Sequence, residues 1–363
     1  MNLQPVKKAN LKGKRVLLRA GFDVPIKNGK VAEDFRIKKS LPTVRLLQYK
    51  GAKVIILSHL GENGVSLKPV ANYLSRHFSN FKFISSILGK SAEKAISFMK
   101  EGDIIMLENL RLDKGEEKND KNFAKKLAKM GDAYVNEAFS VSHRAHASIV
   151  GIPAHLPSFA GLLFENELSN LSKAFKPKHP FLLILGGVKF ESKLNVLEKF
   201  VKIADKIFIG GALANNFFKL KRMNIDNSIV DTKVSVKKYL NNQKIILPID
   251  FRTKKEMILD IGPKTIKEIM DLAKKSKFIL WNGPMGNFED KRFARGTEMT
   301  ARAIVASPAV SIIGGGDTIA AAKKAGVIEQ FSFVSTGGGA MLEFLAKGTL
   351  PGIEALIKSK KRI

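Results

Sequence analysis

The 363-residue chain contains no cysteine, one tryptophan and four tyrosines. Without cysteine there is no disulfide framework, no thiolate nucleophile and no cysteine-bound metal, which agrees with a reducing compartment. No run of about 18 apolar residues is present to span a bilayer, and the start Met-Asn-Leu-Gln-Pro-Val-Lys-Lys lacks the apolar core of a signal peptide. A cytoplasmic protein with no membrane role is the expectation. Acidic residues are scarce, 33 against 62 lysines and arginines, giving a formal net charge of +29. Such an excess suits nucleic acid, an anionic surface or an anionic small molecule. Much of it is lysine spread along helical stretches such as 121–129 and 264–277, and no DNA- or RNA-reading motif occurs. We therefore place solvated helix faces ahead of a nucleic-acid partner. Two nucleotide signatures are also missing. Gly89-Lys90-Ser91 has Ile84 where a Walker loop needs its first glycine, and no Gly-x-Gly-x-x-Gly follows a strand.

What is present is a regular alternation of short apolar runs with amphipathic segments, the pattern of βα units on parallel sheets. A hydrophobic content of 45% over this length is enough for two cores. Strands are expected at 15–20, 53–58, 104–107 and 133–136, then at 181–185, 206–209, 244–246, 278–281, 310–313 and 331–335. Helices are expected at 35–50, kinked by Pro42, and from 67 to 78, with Pro69 in the first turn. Asn28-Gly29 marks a turn in the loop 21–34 that precedes the first of them. Prolines and glycines interrupt the pattern near 151–161, and 163–175 reads as one helix on which we place the domain boundary.

The polar cargo follows the strands. Gly186-Gly187, Gly210-Gly211, Gly314-Gly315-Gly316 and Gly337-Gly338-Gly339 each come after an apolar run. Glycines opening a helix let an anion approach its unpaired N–H groups, and in open α/β sheets ligands bind at that edge. A tight strand-to-helix turn has the same appearance. In the first half, Arg19, Arg36, His59, Arg111, Arg144 and His146 stand at strand ends or helix starts, an array suited to a small polyanion. Any one of them alone reads more simply as a surface ion pair. Lys189 and Lys193 follow a glycine pair, so one can neutralise a phosphoryl group and the other hold nucleotide phosphates. Asp317 suits a Mg²⁺ bound to phosphates or a helix N-cap equally well. Glu289 can accept from ribose hydroxyls, and Trp281 reads as core.

Gly186-Gly187-Val188-Lys189, Gly210-Gly211-Ala212-Leu213-Ala214-Asn215, Asp260-Ile261-Gly262-Pro263-Lys264-Thr265, Trp281-Asn282-Gly283-Pro284-Met285-Gly286, Gly314-Gly315-Gly316-Asp317-Thr318 and Ser335-Thr336-Gly337-Gly338-Gly339-Ala340 resemble, in order, the motifs of the phosphoglycerate kinase family. The resemblance covers essentially the whole chain. It implies an α/β protein of two Rossmann-like domains with parallel sheets, joined by an interdomain helix and hinge. Residues 1–162, joined by 348–363, would take 3-phosphoglycerate, and 163–347 would take Mg-ATP or Mg-ADP. It implies reversible phosphoryl transfer from 1,3-bisphosphoglycerate to ADP by a glycolytic and gluconeogenic monomer, with Mg²⁺ carried by the nucleotide and no prosthetic group. Carried over by position, Arg36, Lys189 and Gly338 are catalytic. Arg19, Gly21, Phe22, Asp23, Arg36, His59, Leu60, Gly61, Glu62, Arg111, Arg144 and His146 bind substrate. Gly187, Lys193, Gly211, Asn282, Glu289, Gly315, Gly316, Asp317 and Thr318 bind nucleotide, with Asp317 also on the metal.

Three departures stand out. Gly21 replaces an aspartate and Asp23 an asparagine of the family's first strand-end motif. Glu62-Asn63 replaces Arg-Pro in a loop that is also shortened, and Met341 replaces a serine beside the triple glycine. Two rivals follow: a same-fold ATP-dependent kinase with weakened activity or another acid substrate, and a non-catalytic protein whose basic surface binds nucleic acid.

Overall fold

The computed structural model describes residues 3–61, 64–188, 190–233 and 235–360. Two compact units emerge, Met1–Leu168 with Thr349–Ile363, and Ser169–Gly348. The division falls within the helix Leu162–Ser172, which continues as a tighter 3₁₀ turn over Lys173–Phe175 rather than as one α-helix.

In the first unit the strands are β1 (Arg15–Arg19), β2 (Ile26–Lys27), β3 (Lys30–Val31), β4 (Lys53–Leu57), β5 (Phe81–Ile84), β6 (Ile104–Leu107), β7 (Ala133–Asn136) and β8 (Ser158–Ala160). Six of them form a sheet in the order β5-β6-β4-β1-β7-β8 with every pairing parallel. β2 and β3 form a separate hairpin whose turn residues, Asn28 and Gly29, both take positive φ, the geometry that matches strand twist. Helix Phe35–Tyr49 runs with Pro42 inside it. The helix expected over 67–78 is only Lys68–Leu74, because the Arg76 and His77 amides bond three residues back, to Tyr73 and Leu74, and tighten its end. The last helix, Pro351–Lys360, belongs to this unit, with the Gly352 amide donating to the Ser142 carbonyl and the Ser359 hydroxyl to that of Leu156.

In the second unit β9 (Phe181–Leu185), β10 (Lys206–Ile209), β11 (Ile245–Ile246), β14 (Phe278–Asn282), β15 (Val310–Gly314) and β16 (Phe333–Ser335) form a parallel sheet, while β12 (Phe251–Lys254) and β13 (Met257–Ile261) pair as an antiparallel hairpin. The order is β11-β10-β9-β14-β15-β16, a doubly wound sheet whose direction of winding reverses between β9 and β14. All five residues of β9 and of β14 are buried. Five large apolar side chains in β9 alone contribute on the order of 10 kcal/mol of gross burial energy, and this places it in the centre of the sheet. Trp281 is fully buried in the core and donates to the Gly283 carbonyl at 2.8 Å.

Candidate active site

In the first unit, the ends of β1, β4 and β6 assemble a polar cluster. Ser58, after β4, accepts from the Phe22 amide at 3.1 Å and donates to the Ala20 carbonyl at 3.0 Å, fastening the chain that leaves β1. Phe22 and Leu60 have their side chains in the core, so only their main chains remain for a ligand. Asp23 is the meeting point. Its carbonyl accepts from Arg36 Nη1 at 2.7 Å, its carboxylate accepts from the Gly61 amide at 3.0 Å, and its other oxygen lies 3.9 Å from His59 Nε2. Arg111 reaches the same loop by donating to the Gly61 carbonyl at 2.7 Å. A Cβ on Gly21 would lie 3.0 Å from the Ser140 hydroxyl, so the missing aspartate has its space partly taken.

Arg19 has no exposed surface. Its Nε donates to Ser148 Oγ at 2.7 Å, Nη1 to the Ala20 carbonyl at 2.6 Å, and Nη2 lies 3.1 Å from His59 Nδ1. Burial, followed by the charges of Arg19 and Arg111, holds His59 well below its ordinary 6.5. Burial and the arginines bring His146 down to about 4. Both rings are neutral near neutral pH, and Arg144, exposed, is a charged neighbour of each.

The scaffolding of this cluster comes from side chains whose role the sequence does not announce. Glu108 accepts from Leu67 and Asn109 amides and from Ser66 Oγ, each at 2.7 Å, while the Asn109 amide group donates to Leu60 and Val65 carbonyls at 2.8 and 2.7 Å. Their place directly after β6 was the available signal. Glu116 and Ser148, joined by two hydrogen bonds across 32 positions, offered none. Glu62 lies outside the described residues.

In the second unit the strand ends at the winding reversal are tied main chain to main chain: Gly186 N to Asn282 O at 2.9 Å, Gly187 N to Pro284 O at 2.8 Å, Gly211 N to Met285 O at 3.2 Å. Gly211 has φ 58, and a Cβ there would collide with the Gly187 nitrogen, so only glycine allows this approach. Asn282 donates to the Gly314 carbonyl and Thr318 Oγ1 accepts from Gly283 N, both at 2.7 Å. These two side chains are buried and hold the loops. Beside them opens a cavity of about 350 Å³ whose lining includes Gly187, Gly211, Glu289 and Asp317. Asp317 is exposed in the first turn of helix Gly316–Lys324, whose N-cap is Gly315 and carries no side-chain cap. Lys193 is buried on helix Phe190–Phe200, and Gly338, with φ 55, caps helix Gly339–Lys347. Met341 is fully buried with its sulfur in the space a Cβ on Gly314 would need, which explains how the larger side chain is housed. Lys189 lies outside the described residues. Among the described residues no group of three or more histidines and carboxylates gathers as a metal cage, and no helix is long and apolar enough to cross a membrane.

The family model for phosphoglycerate kinase matches residues 6–348. Phosphoglycerate kinase of Leptospira biflexa is 41% identical over 396 residues, covering 100% of both chains. That of Dictyoglomus turgidum is 42% identical over 381 residues, covering 96% of each. The solved phosphoglycerate kinase from Pyrococcus horikoshii superposes with a TM-score of 0.89 at 32% identity, over 99% of this chain and 100% of that one. The structure from Coxiella burnetii gives 0.85 at 34% identity with 100% of both chains covered. With a family model spanning nearly the whole sequence and relatives matched end to end, this chain belongs to the phosphoglycerate kinase family.

Proposed function

We propose that this chain catalyses reversible phosphoryl transfer between 1,3-bisphosphoglycerate and ADP, giving 3-phosphoglycerate and ATP, as a phosphotransferase with a carboxyl acceptor. The observation that carries this reading is the family match over residues 6–348, which takes in the strand-end motifs of both units. The first unit takes the phosphoacid. Arg36, Arg111, Arg144, His59 and His146 supply charge and N–H donors, and the main chain at Gly21–Asp23 and Leu60–Gly61 completes the cradle, with Arg19 acting from behind His59. The second unit takes the nucleotide, with Gly187, Gly211, Gly315 and Gly316 close to its phosphates and base, Asn282 and Thr318 bracing the loops, Glu289 on the ribose and Lys193 on a phosphate.

Mg²⁺ arrives with the nucleotide as part of the substrate. Asp317 fits it, being an exposed, uncapping carboxylate on the cavity wall, and a phosphate-bound Mg²⁺ takes only one or two protein carboxylates. Phosphoryl transfer depends on alignment and charge neutralisation more than on a covalent nucleophile. Lys189 supplies the charge for the group in transit, Arg36 orients the acceptor carboxylate, and the helix opening at Gly338 presents N–H groups. Hinge bending, a monomeric state, a cytoplasmic place and service in glycolysis and gluconeogenesis belong to the same reading. An assay of ADP release from Mg-ATP with 3-phosphoglycerate, run beside other small carboxylic acids, tests it. Turnover confined to 3-phosphoglycerate is expected; preference for another acid would replace the substrate and keep the reaction class.

A further inference from the structure

A buried carboxylate with no assigned role sits beneath the basic cluster. Glu116, on the short helix Lys114–Glu117, is wholly inaccessible. Its Oε1 accepts from the Ser148 hydroxyl at 2.6 Å and its Oε2 from the Ser148 amide at 2.9 Å. Since that hydroxyl spends its proton on Glu116, its lone pairs face outward, and Arg19 Nε donates to them at 2.7 Å. Arg19 Nη2 in turn lies 3.1 Å from His59 Nδ1 and 3.9 Å from Glu116 Oε1. A guanidinium has only donors, so Nδ1 of His59 must be the acceptor, and the ring proton resides on Nε2, the atom facing Asp23 Oδ2 at 3.9 Å. Every link is buried: Glu116, Ser148 and Arg19 show 0% exposure and His59 4%.

We propose that Glu116 is a positioning residue for the phosphoacid site, acting through Ser148 and Arg19 to hold His59 in one orientation and one tautomer, with its Nε2–H presented to the anion. The inference rests on the reading that His59 faces the phosphoacid. Glu116 does two things at once. It balances the charge of a guanidinium that has no solvent, and it fixes the direction of the Ser148 hydroxyl, without which Arg19 has no fixed partner at Nε. Arg19 then works as a clamp on His59 rather than as a contact to the ligand, and burial, followed by the arginines around it, keeps the His59 ring neutral.

Glu116→Gln removes the balancing charge and risks the fold, so Ser148→Ala is the informative variant, because it keeps the Glu116–Arg19 charge pair and deletes only the hydroxyl link. The readout is nitrogen NMR of histidine-labelled free protein, together with Michaelis constants. In the unmodified protein, His59 is expected as a single neutral tautomer with its proton on Nε2. Ser148→Ala is expected to mix the tautomers and raise the constant for 3-phosphoglycerate about tenfold, the scale of one charge-assisted hydrogen bond, while that for ATP stays unchanged. Ser148→Thr, which keeps the hydroxyl, is expected to restore both. A proton on Nδ1 of His59 in the unmodified protein overturns the proposal whether or not the variants fold. A Ser148→Ala protein with one tautomer and an unaltered constant overturns it too. Failure of the unmodified protein to use 3-phosphoglycerate would instead strike the functional reading, leaving the tautomer result to stand alone.

Discussion

The Arg36 guanidinium donates to the main-chain carbonyl of Asp23 at 2.7 Å, so a side chain from the first turn of helix Phe35–Tyr49 is braced by the loop leaving β1. One Nη is thereby used for position, and the rest of the fork remains for an anion. Arg36→Ala should lower turnover by about a hundredfold or more, the scale for losing one preorganised donor at developing charge, with the unfolding transition nearly unmoved. Chemical denaturation of the variant beside kcat decides this, since a variant that unfolds would make Arg36 a structural brace only.

Asp317 stands on the cavity wall without a capping duty. Replacement by asparagine should raise the Mg-nucleotide dissociation constant roughly tenfold, or about 1.4 kcal/mol, and shift the Mg²⁺ dependence of turnover upward. Titration calorimetry with Mg-ADP at several Mg²⁺ concentrations measures both. An unchanged Mg²⁺ dependence would remove Asp317 from the metal.

The first unit is read most safely at its strand ends. β1, β4, β6 and β7 are short, almost wholly buried β-branched or apolar runs, so their carboxyl termini, and with them Arg19, His59 and Arg111, were legible from periodicity. β5 and β8 were not anticipated. Phe81-Lys82-Phe83-Ile84 pairs on one side only, at the sheet edge, and has one buried residue; Ser158-Phe159-Ala160 has three residues and no β-branched side chain. Glu116 escaped because its meaning depends on Ser148, brought alongside only by the fold. The family motifs singled out Asp317 and Glu289, which line one cavity, whereas its place after three glycines alone left Asp317 balanced between a cap and a metal ligand.

Glu137, at the end of β7, accepts from Thr43 Oγ1 and, at 3.1 Å, from the Leu163 amide near the start of helix Leu162–Ser172. Burial dominates those bonds and pushes its carboxyl from 4.5 up to about 8. The folded chain then keeps a proton that the unfolded chain releases, so this group's contribution to stability is full below 4.5 and is lost as pH rises to about 8. Glu137→Gln abolishes that slope. Relative to the unmodified protein, the variant should gain stability steadily across this window, by a few kcal/mol at most, and no further above it. Urea unfolding at a series of pH values is the check, and a difference independent of pH would contradict a raised carboxyl.

Residue 61 is gripped from both sides, its amide by Asp23 and its carbonyl by Arg111. The family places an arginine at the next position, where this chain has Glu62. Restoring the cation by Glu62→Arg adds a charge-assisted hydrogen bond of about 1.5–3 kcal/mol, so the Michaelis constant for 3-phosphoglycerate should fall by about tenfold or more and that for ATP should hold. Steady-state kinetics settles it, with an unmoved 3-phosphoglycerate constant showing that position 62 does not reach the ligand.

A carboxyl group as the phosphoryl acceptor can be trapped chemically. Incubation of the protein with Mg-ATP, 3-phosphoglycerate and hydroxylamine traps an acyl phosphate as its hydroxamate. Hydroxamate and ADP should form in equal amounts, with neither formed when 3-phosphoglycerate is omitted. ADP formed with 3-phosphoglycerate but without hydroxamate, or no product while Mg-ADP still binds, would contradict a carboxyl acceptor.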